Sequence, residues 1–441
     1  MLDLLVREVR PVDGGTVGDP VDVHVDGGVI VGLHPASSGP VPARTVVDGR
    51  GALVAPPYVE PHVHLDTALT AGEPRWNESG TLWEGIACWS ERKATLSTHD
   101  VAERAREVLG WYVAHGVLHV RSHVDVTDPN LVALEALLAV RDEVRDVVDL
   151  QLVAFPQEGI CSYPGGADLL AEAVRRGVDA VGAIPHFEDT REDGVRSVEL
   201  AVALAAEHGL FVDAHCDEID DEQSRFVEVL ATQALRSGLG DRVTASHTTA
   251  MGSYNPAYSY KLQRILVRAG VNLVCNPLVN LHLQGRFDGY PKRRGLTQVK
   301  EMLRAGVNVA MGHDDVMDPW YPLGTADPVQ VAHTGAHATQ LTAPAEVAEC
   351  FRMVTDRAAK VLGLGAGYGI RPGSPANLVV LPAADPFDVV RRLVQPSHVV
   401  SRGKVVAETP PRVTSLRWPG RDVELVDLVR ARDQVGHAGA G

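Results

Sequence analysis

The chain has 441 residues, of which 45% are apolar, 22% charged and 5% aromatic. That composition can bury a large core and excludes disorder as the main state. With 41 basic and 57 acidic side chains the formal charge is −16, a field that repels phosphate backbones and anionic lipid. No nucleic acid and no membrane surface is therefore an expected partner, and a small neutral or cationic molecule fits better.

No uncharged apolar run approaches the roughly 18 residues of a membrane-spanning helix. Asp3, Arg7 and Glu8 fall where a signal peptide needs unbroken apolar sequence, so none is expected at this end. The five cysteines (Cys88, Cys161, Cys216, Cys275 and Cys350) are odd in number and widely spaced, with no C-x-x-C pair. They predict reduced thiols and a cytoplasmic location.

In chain order, the first fifty residues are short strand-like runs such as Val21 to Val25 and Val29 to Leu33. Turns are expected at Gly14-Gly15, Gly27-Gly28 and Gly39-Pro40. From about residue 52 apolar strands alternate with amphipathic helices. The expected strands are Leu53 to His64, Val117 to Asp125, Leu150 to Gln157, Ala180 to His186, Leu210 to His215, Val243 to His247, Val271 to Pro277 and Val307 to Asp315. After Thr98, the residues Val101, Ala105, Val108, Leu109 and Tyr112 recur on one helical face, and Gly116 follows. Asn377 to Leu381 and His398 to Ala407 return to short strands.

Eight strands separated by helices require parallel pairing, which predicts an α/β fold built on a closed (β/α)8 TIM-like barrel. An open doubly wound sheet is the competitor, but no G-x-G-x-x-G or Walker A turn is present. The barrel is expected over residues 56–369. A small β-sandwich built from both chain ends, 1–55 and 370–415, and a C-terminal extension, 416–441, complete the expected organisation.

Polar residues gather at the predicted strand ends: His62-Val63-His64, His215, His247 and His313-Asp314-Asp315. In a barrel such ends face one site. His62 and His64 are two apart on a strand and share a side, so they can chelate one metal, with His215 and Asp314 completing the set. Any one of these residues alone would read as structural; together they point to a metal centre. Glu218, three residues past His215, can overhang such a centre as a proton-transfer carboxylate. From spacing alone it reads equally well as a solvated loop residue, in a run with Asp220, Asp221 and Glu222. A G-x-S-x-G elbow and the H-x-E with P-C-x-x-C signature are both absent.

Several long stretches carry a closer resemblance. They are 57–66 (PYVEPHVHLD), 76–82 (WNESGTL), 154–159 (AFPQEG), 215–226 (HCDEIDDEQSRF), 246–250 (SHTTA), 276–288 (NPLVNLHLQGRFD) and 312–322 (GHDDVMDPWYP). They resemble the amidohydrolase superfamily and, within it, the bacterial cytosine deaminases, from about residue 50 to 405. The resemblance implies a metal-dependent hydrolase acting on the C–N bond of a cyclic amidine, with one divalent ion, Fe(II) or Zn(II). Strand 4 lacks the lysine that bridges two metals in related barrels. It implies His62, His64, His215 and Asp314 as metal ligands, Glu218 as the shuttle to ring N3, and His247 as the residue that orients the attacking oxygen. Asp314 doubles as ligand and base. Gln157, Asp315, Trp320 and Leu82 are implied to bind a pyrimidine, Gln157 gripping its O2 and N1 edge. A homo-oligomer is also implied. Cytosine is the expected substrate; 5-methylcytosine, isocytosine, isoguanine, creatinine and an aminotriazine are the alternatives, and a non-catalytic binding scaffold is disfavoured because the ligand set is intact.

Overall fold

The computed structural model describes residues 1–36, 41–410, 412, 414–420 and 424–426. The turn expected at Gly39-Pro40 and most of the extension 416–441 lie outside them. Eight parallel strands form a barrel: β1 (Tyr58–Val63), β2 (Val117–Asp125), β3 (Asp149–Phe155), β4 (Ala180–Ala183), β5 (Phe211–Cys216), β6 (Val243–His247), β7 (Asn272–Cys275) and β8 (Val309–Met311). Each pairs with its neighbour in sequence, and helices run between them, as the periodicity predicts. The helix Thr98–Ala114 buries Val101, Ala105, Val108, Leu109 and Tyr112, while the Ser97 side chain accepts from the backbone N–H of Asp100 to cap it.

One expected strand divides. Leu53–Ala55 pairs with strands of the outer sheet, and only Tyr58–Val63 belongs to the barrel. Pro56 and Pro57 stand between them. With no N–H to donate, the pair ends one ladder and lets the chain re-aim into the other.

Among the described residues the outer sheet has nine strands, drawn from both chain ends. Its two parts, Leu2–Asp13 with Val21–Asp26 and Val29–Pro35, and Leu53–Ala55 with Leu378–Leu381 and His398–Ser401, enclose one apolar cluster. Leu4, Val6, Val23, Val25 and Ile30 meet Val54, Leu378, Val380 and Val400 there. Burying two sheet faces against each other is the layer packing expected of a sandwich.

The barrel closes at an unusual place. Between β1 and β8 the strand ladder is reduced to a bridge at Val63 and Asp314. The N–H of Asp314 donates to the His62 carbonyl (2.8 Å), and the N–H of His64 donates to the Asp314 carbonyl (3.0 Å). Below that bridge the N–H of Val59 donates instead to the Val354 carbonyl. The helix Asp356–Val361 packs Ala358, Ala359 and Val361 against Val59, Val274 and Ala310. The carboxyl end of the barrel is thus left open for chemistry, while this short helix closes the opposite end.

Candidate active site

The strand ends bring the expected residues into one cluster. His62 lies on β1 and His64 just beyond it, His215 on β5, His247 at the end of β6, and Asp314 just past β8. His247 and Asp314 both have left-handed backbones, with φ of 67° and 72°. Such conformations are costly for residues other than glycine and occur where a site over-determines them.

The ligating atoms of His62, His64, His215 and Asp314 all lie within 4.8 Å of one another. Asp314 Oδ1 is 3.2 Å from His62 Nε2 and 3.6 Å from His64 Nε2, and His64 Nε2 is 3.0 Å from His215 Nε2. Burial and the neighbouring rings push His62, His64 and His215 well below the ordinary imidazole range, so all three are neutral. Neutral imidazole and carboxylate are the forms that bind a divalent ion.

A hydrogen-bond chain fixes which His62 nitrogen is bare. The Ser246 hydroxyl donates to Asp213 Oδ1 (2.7 Å), and Ser246 Oγ lies 2.9 Å from His62 Nδ1. A hydroxyl has a single proton, so His62 Nδ1–H must donate to Ser246 and Nε2 keeps its lone pair. That Nε2 and Asp314 Oδ2 are buried without hydrogen-bond partners, and a cation is the natural partner for both. The donor set therefore fits one divalent ion. Burial alone would raise the Asp213 carboxyl, but His123, Arg121 and Ser246 bring it below its ordinary value, so it is an anion.

The fully buried Arg121 donates to Asp213 Oδ2 (3.0 Å), to Gln151 and to the Val361 carbonyl at the end of the basal helix. Phe155 stacks on the His215 ring at 4.0 Å. On β1, Glu60 accepts from the N–H groups of His62 (3.0 Å) and His313 (3.1 Å), joining β1 and β8 beside the bridge. His313 is not part of the cluster. Its Nδ1 lies 3.0 Å from the Asp315 carbonyl, and its Nε2 accepts from the N–H groups of Thr325 and Ala326.

Glu218, His247 and Asp314 form a second group that shares Asp314 with the first. His247 Nδ1 is 3.1 Å from Glu218 Oε1 and 3.7 Å from Asp314 Oδ2. Burial pushes the Glu218 carboxyl up, which favours its protonated form. Asn280 donates its amide N–H to His247 Nδ1 (3.1 Å), and Asn276 lies 3.4 Å from the same atom.

A small cavity adjoins these groups, lined by His64, Leu82, Gln157, His215, Glu218, His247, Leu283, Asp314, Asp315 and Trp320. All four residues expected to bind substrate are on its wall. The Trp320 indole N–H donates to the Leu82 carbonyl (3.2 Å), tying two of them together. Asp318 accepts from Thr67 (2.7 Å) and from the N–H groups of Trp320 and Tyr321, which sets the loop that carries Trp320. Burial and mutual repulsion raise the Asp315 carboxyl. A wider cavity shares Leu82, Glu218 and Leu283 with the first and extends past Trp83 and Phe287.

Sequence reasoning gave no role to Asp213, Ser246, Glu60, Asn276, Asn280 or Leu283. Asn276 and Asn280 carry a usable signal: two amides four apart where strand 7 enters a helix, so both lie on one helical face. Asp213 sits two residues before His215 on β5 and so shares its face, the same alternation that pairs His62 with His64.

The barrel, its flanking sheet and the convergent imidazoles define an amidohydrolase. A family model described as the amidohydrolase family matches residues 45–407, and the chain belongs to that family. A solved 5-methylcytosine deaminase from Klebsiella pneumoniae, liganded with 5-fluorocytosine, is similar at 46% identity and TM-score 0.90, covering 95% of this chain and 100% of its own. Pterin deaminase of Rhizobium rhizogenes is 30% identical over 88% of each chain. The N-isopropylammelide isopropyl amidohydrolase of Pseudomonas sp. is 27% identical over 92% of this chain and 97% of its own.

Proposed function

We propose that the chain hydrolyses the exocyclic C–N bond of cytosine, giving uracil and ammonia. The observation that carries this reading is a single cavity wall shared by Gln157, Glu218, His247, Asp314, Asp315 and Trp320, with metal-ligand atoms at its floor. His62, His64, His215 and Asp314 would hold one Fe(II) or Zn(II), which when bound makes water a nucleophile at neutral pH.

The side chains then divide the work. Gln157 offers both a donor and an acceptor to the O2 and N1 edge of the ring. His247, steadied by Asn276 and Asn280, orients the attacking oxygen toward C4. Asp314 takes a proton from that oxygen. Glu218, protonated by virtue of its burial, donates to N3 and so breaks the ring's conjugation at the carbon under attack. A second proton on the amino group, returned through the same two carboxyls, lets ammonia leave. Leu82 and Trp320 close the cavity around the ring, and Asp315 faces the C5 and C6 side.

The second reading is 5-methylcytosine, favoured by the similarity to the Klebsiella pneumoniae enzyme. Ammonia release measured across cytosine, 5-methylcytosine, isocytosine, isoguanine, creatinine, an aminotriazine and pterin separates the two. Cytosine is expected to have the highest kcat/KM; negligible turnover of cytosine beside rapid turnover of another ring would replace it. Glu218→Gln is expected to lower kcat about 10²–10⁴-fold with metal content unchanged.

A further inference from the structure

On the helix Pro328–Thr339, His333 and His337 stand four residues apart, outside the cavity and its hydrogen-bond network. Their Nε2 atoms are 3.3 Å apart. Two imidazole nitrogens bound at about 2.0–2.1 Å to a tetrahedral ion lie roughly 3.3–3.4 Å from each other, so the pair is already set at a chelating bite.

The tautomer of one ring is fixed from behind. His333 Nδ1 lies 2.9 Å from the backbone carbonyl of Val390, on the neighbouring helix Pro386–Arg392. A carbonyl only accepts, so Nδ1 carries the proton and Nε2 presents its lone pair to His337. A backbone carbonyl holding the far nitrogen is how metal-ligating histidines are oriented. His337 is exposed and lies in the last turn of its helix, where the aligned peptide dipoles favour a cation. Arg294, the nearby cation, spends its guanidinium on the backbone carbonyls of His337 and Ala338.

We propose that His333 and His337 form a second metal site, a two-imidazole chelate for a borderline divalent ion such as Ni(II), Cu(II) or Zn(II). Among the described residues no third histidine, cysteine or carboxylate joins the pair, so water completes the coordination and the hard ions Mg(II) and Ca(II) are excluded by ligand type. The ion would also tie the helix Pro328–Thr339 more firmly through His333 to the helix Pro386–Arg392.

The test uses tag-free full-length protein already loaded with its active-site metal, dialysed against Ni(II) with bound metal counted by mass spectrometry. The expected result is one further Ni(II) per chain, with affinity falling at least about tenfold in His337→Ala and in His333→Ala. Ammonia-releasing activity should be unchanged in His337→Ala. His62→Ala, which breaks the other cluster, should keep the Ni(II) site. No additional binding at millimolar Ni(II) would overturn the proposal and leave the pair as an imidazole–imidazole hydrogen bond. Binding that survives both single substitutions would overturn it too.

Discussion

His62, His215 and His247 are carried on barrel strands, with His64 and Asp314 immediately beyond them, and a buried chain of hydrogen bonds stands behind this group. Leu82, Leu283 and Trp320 come instead from outside the strands, at the start of one helix, the end of another and in a loop, with the Trp320 indole tied to the Leu82 carbonyl. The first group is fixed by the ladder itself; the second can change without disturbing it. That division suits a family in which one hydrolytic centre meets different rings. The similar proteins named above are described as acting on a methylated pyrimidine, a pterin and an ammelide.

The sharpest way to break this contrast is to remove a strand-borne ligand. Asp314→Ala should reduce bound metal from about one equivalent per chain to background, and turnover with it, as measured by metal analysis beside ammonia release. Retained metal would show that the imidazoles alone suffice. Next in size is Ser246→Ala, which touches no substrate. Loss of the bond that fixes the His62 tautomer should weaken metal affinity about 10–100-fold, read by chelator competition.

On the other side of the contrast, Gly85→Ala should leave metal content alone and damage only the pocket. A Cβ there would sit 2.4 Å from the Trp320 indole, which must move away. A fall in kcat/KM of between about tenfold and a hundredfold is expected, with unchanged metal affinity. The smallest effect concerns the loop beyond Leu283. Arg293 and its backbone N–H hold the Asp288 carboxyl down at about 2. A depressed carboxyl contributes stability above its ordinary value and loses it as pH falls toward 2. Asp288→Asn should therefore lower Tm slightly near pH 7 and remove the acid-range slope, so that the two proteins converge as pH falls toward 2; the effect is small because Arg293 is exposed and the pair is screened by salt.

The strand half was the more legible in sequence. H-x-H at a strand end, joined to His215 and Asp314 at two others, needs only alternation and barrel topology to converge. The break at Pro56-Pro57 was missed because an apolar run continues across it, and only the pairing shows that its two parts serve different sheets. Trp320 and Leu82 carry no periodic signal. They are 238 positions apart and meet through a loop whose path is set by Asp318, so resemblance rather than pattern pointed to them. Alternation puts Asp213 on the face of His215, but nothing in the sequence tells that Arg121, from a strand 92 residues earlier, will pair with it.

The bridge between Val63 and Asp314 has a consequence for assembly. First and last staves of the barrel meet at residues that flank or belong to the ion's cradle, so an ion there would act as a rivet across the seam. Amide hydrogens of His64 and Asp314 should exchange faster in the stripped protein than in the loaded one, while those deep in β2 and β3 stay slow in both.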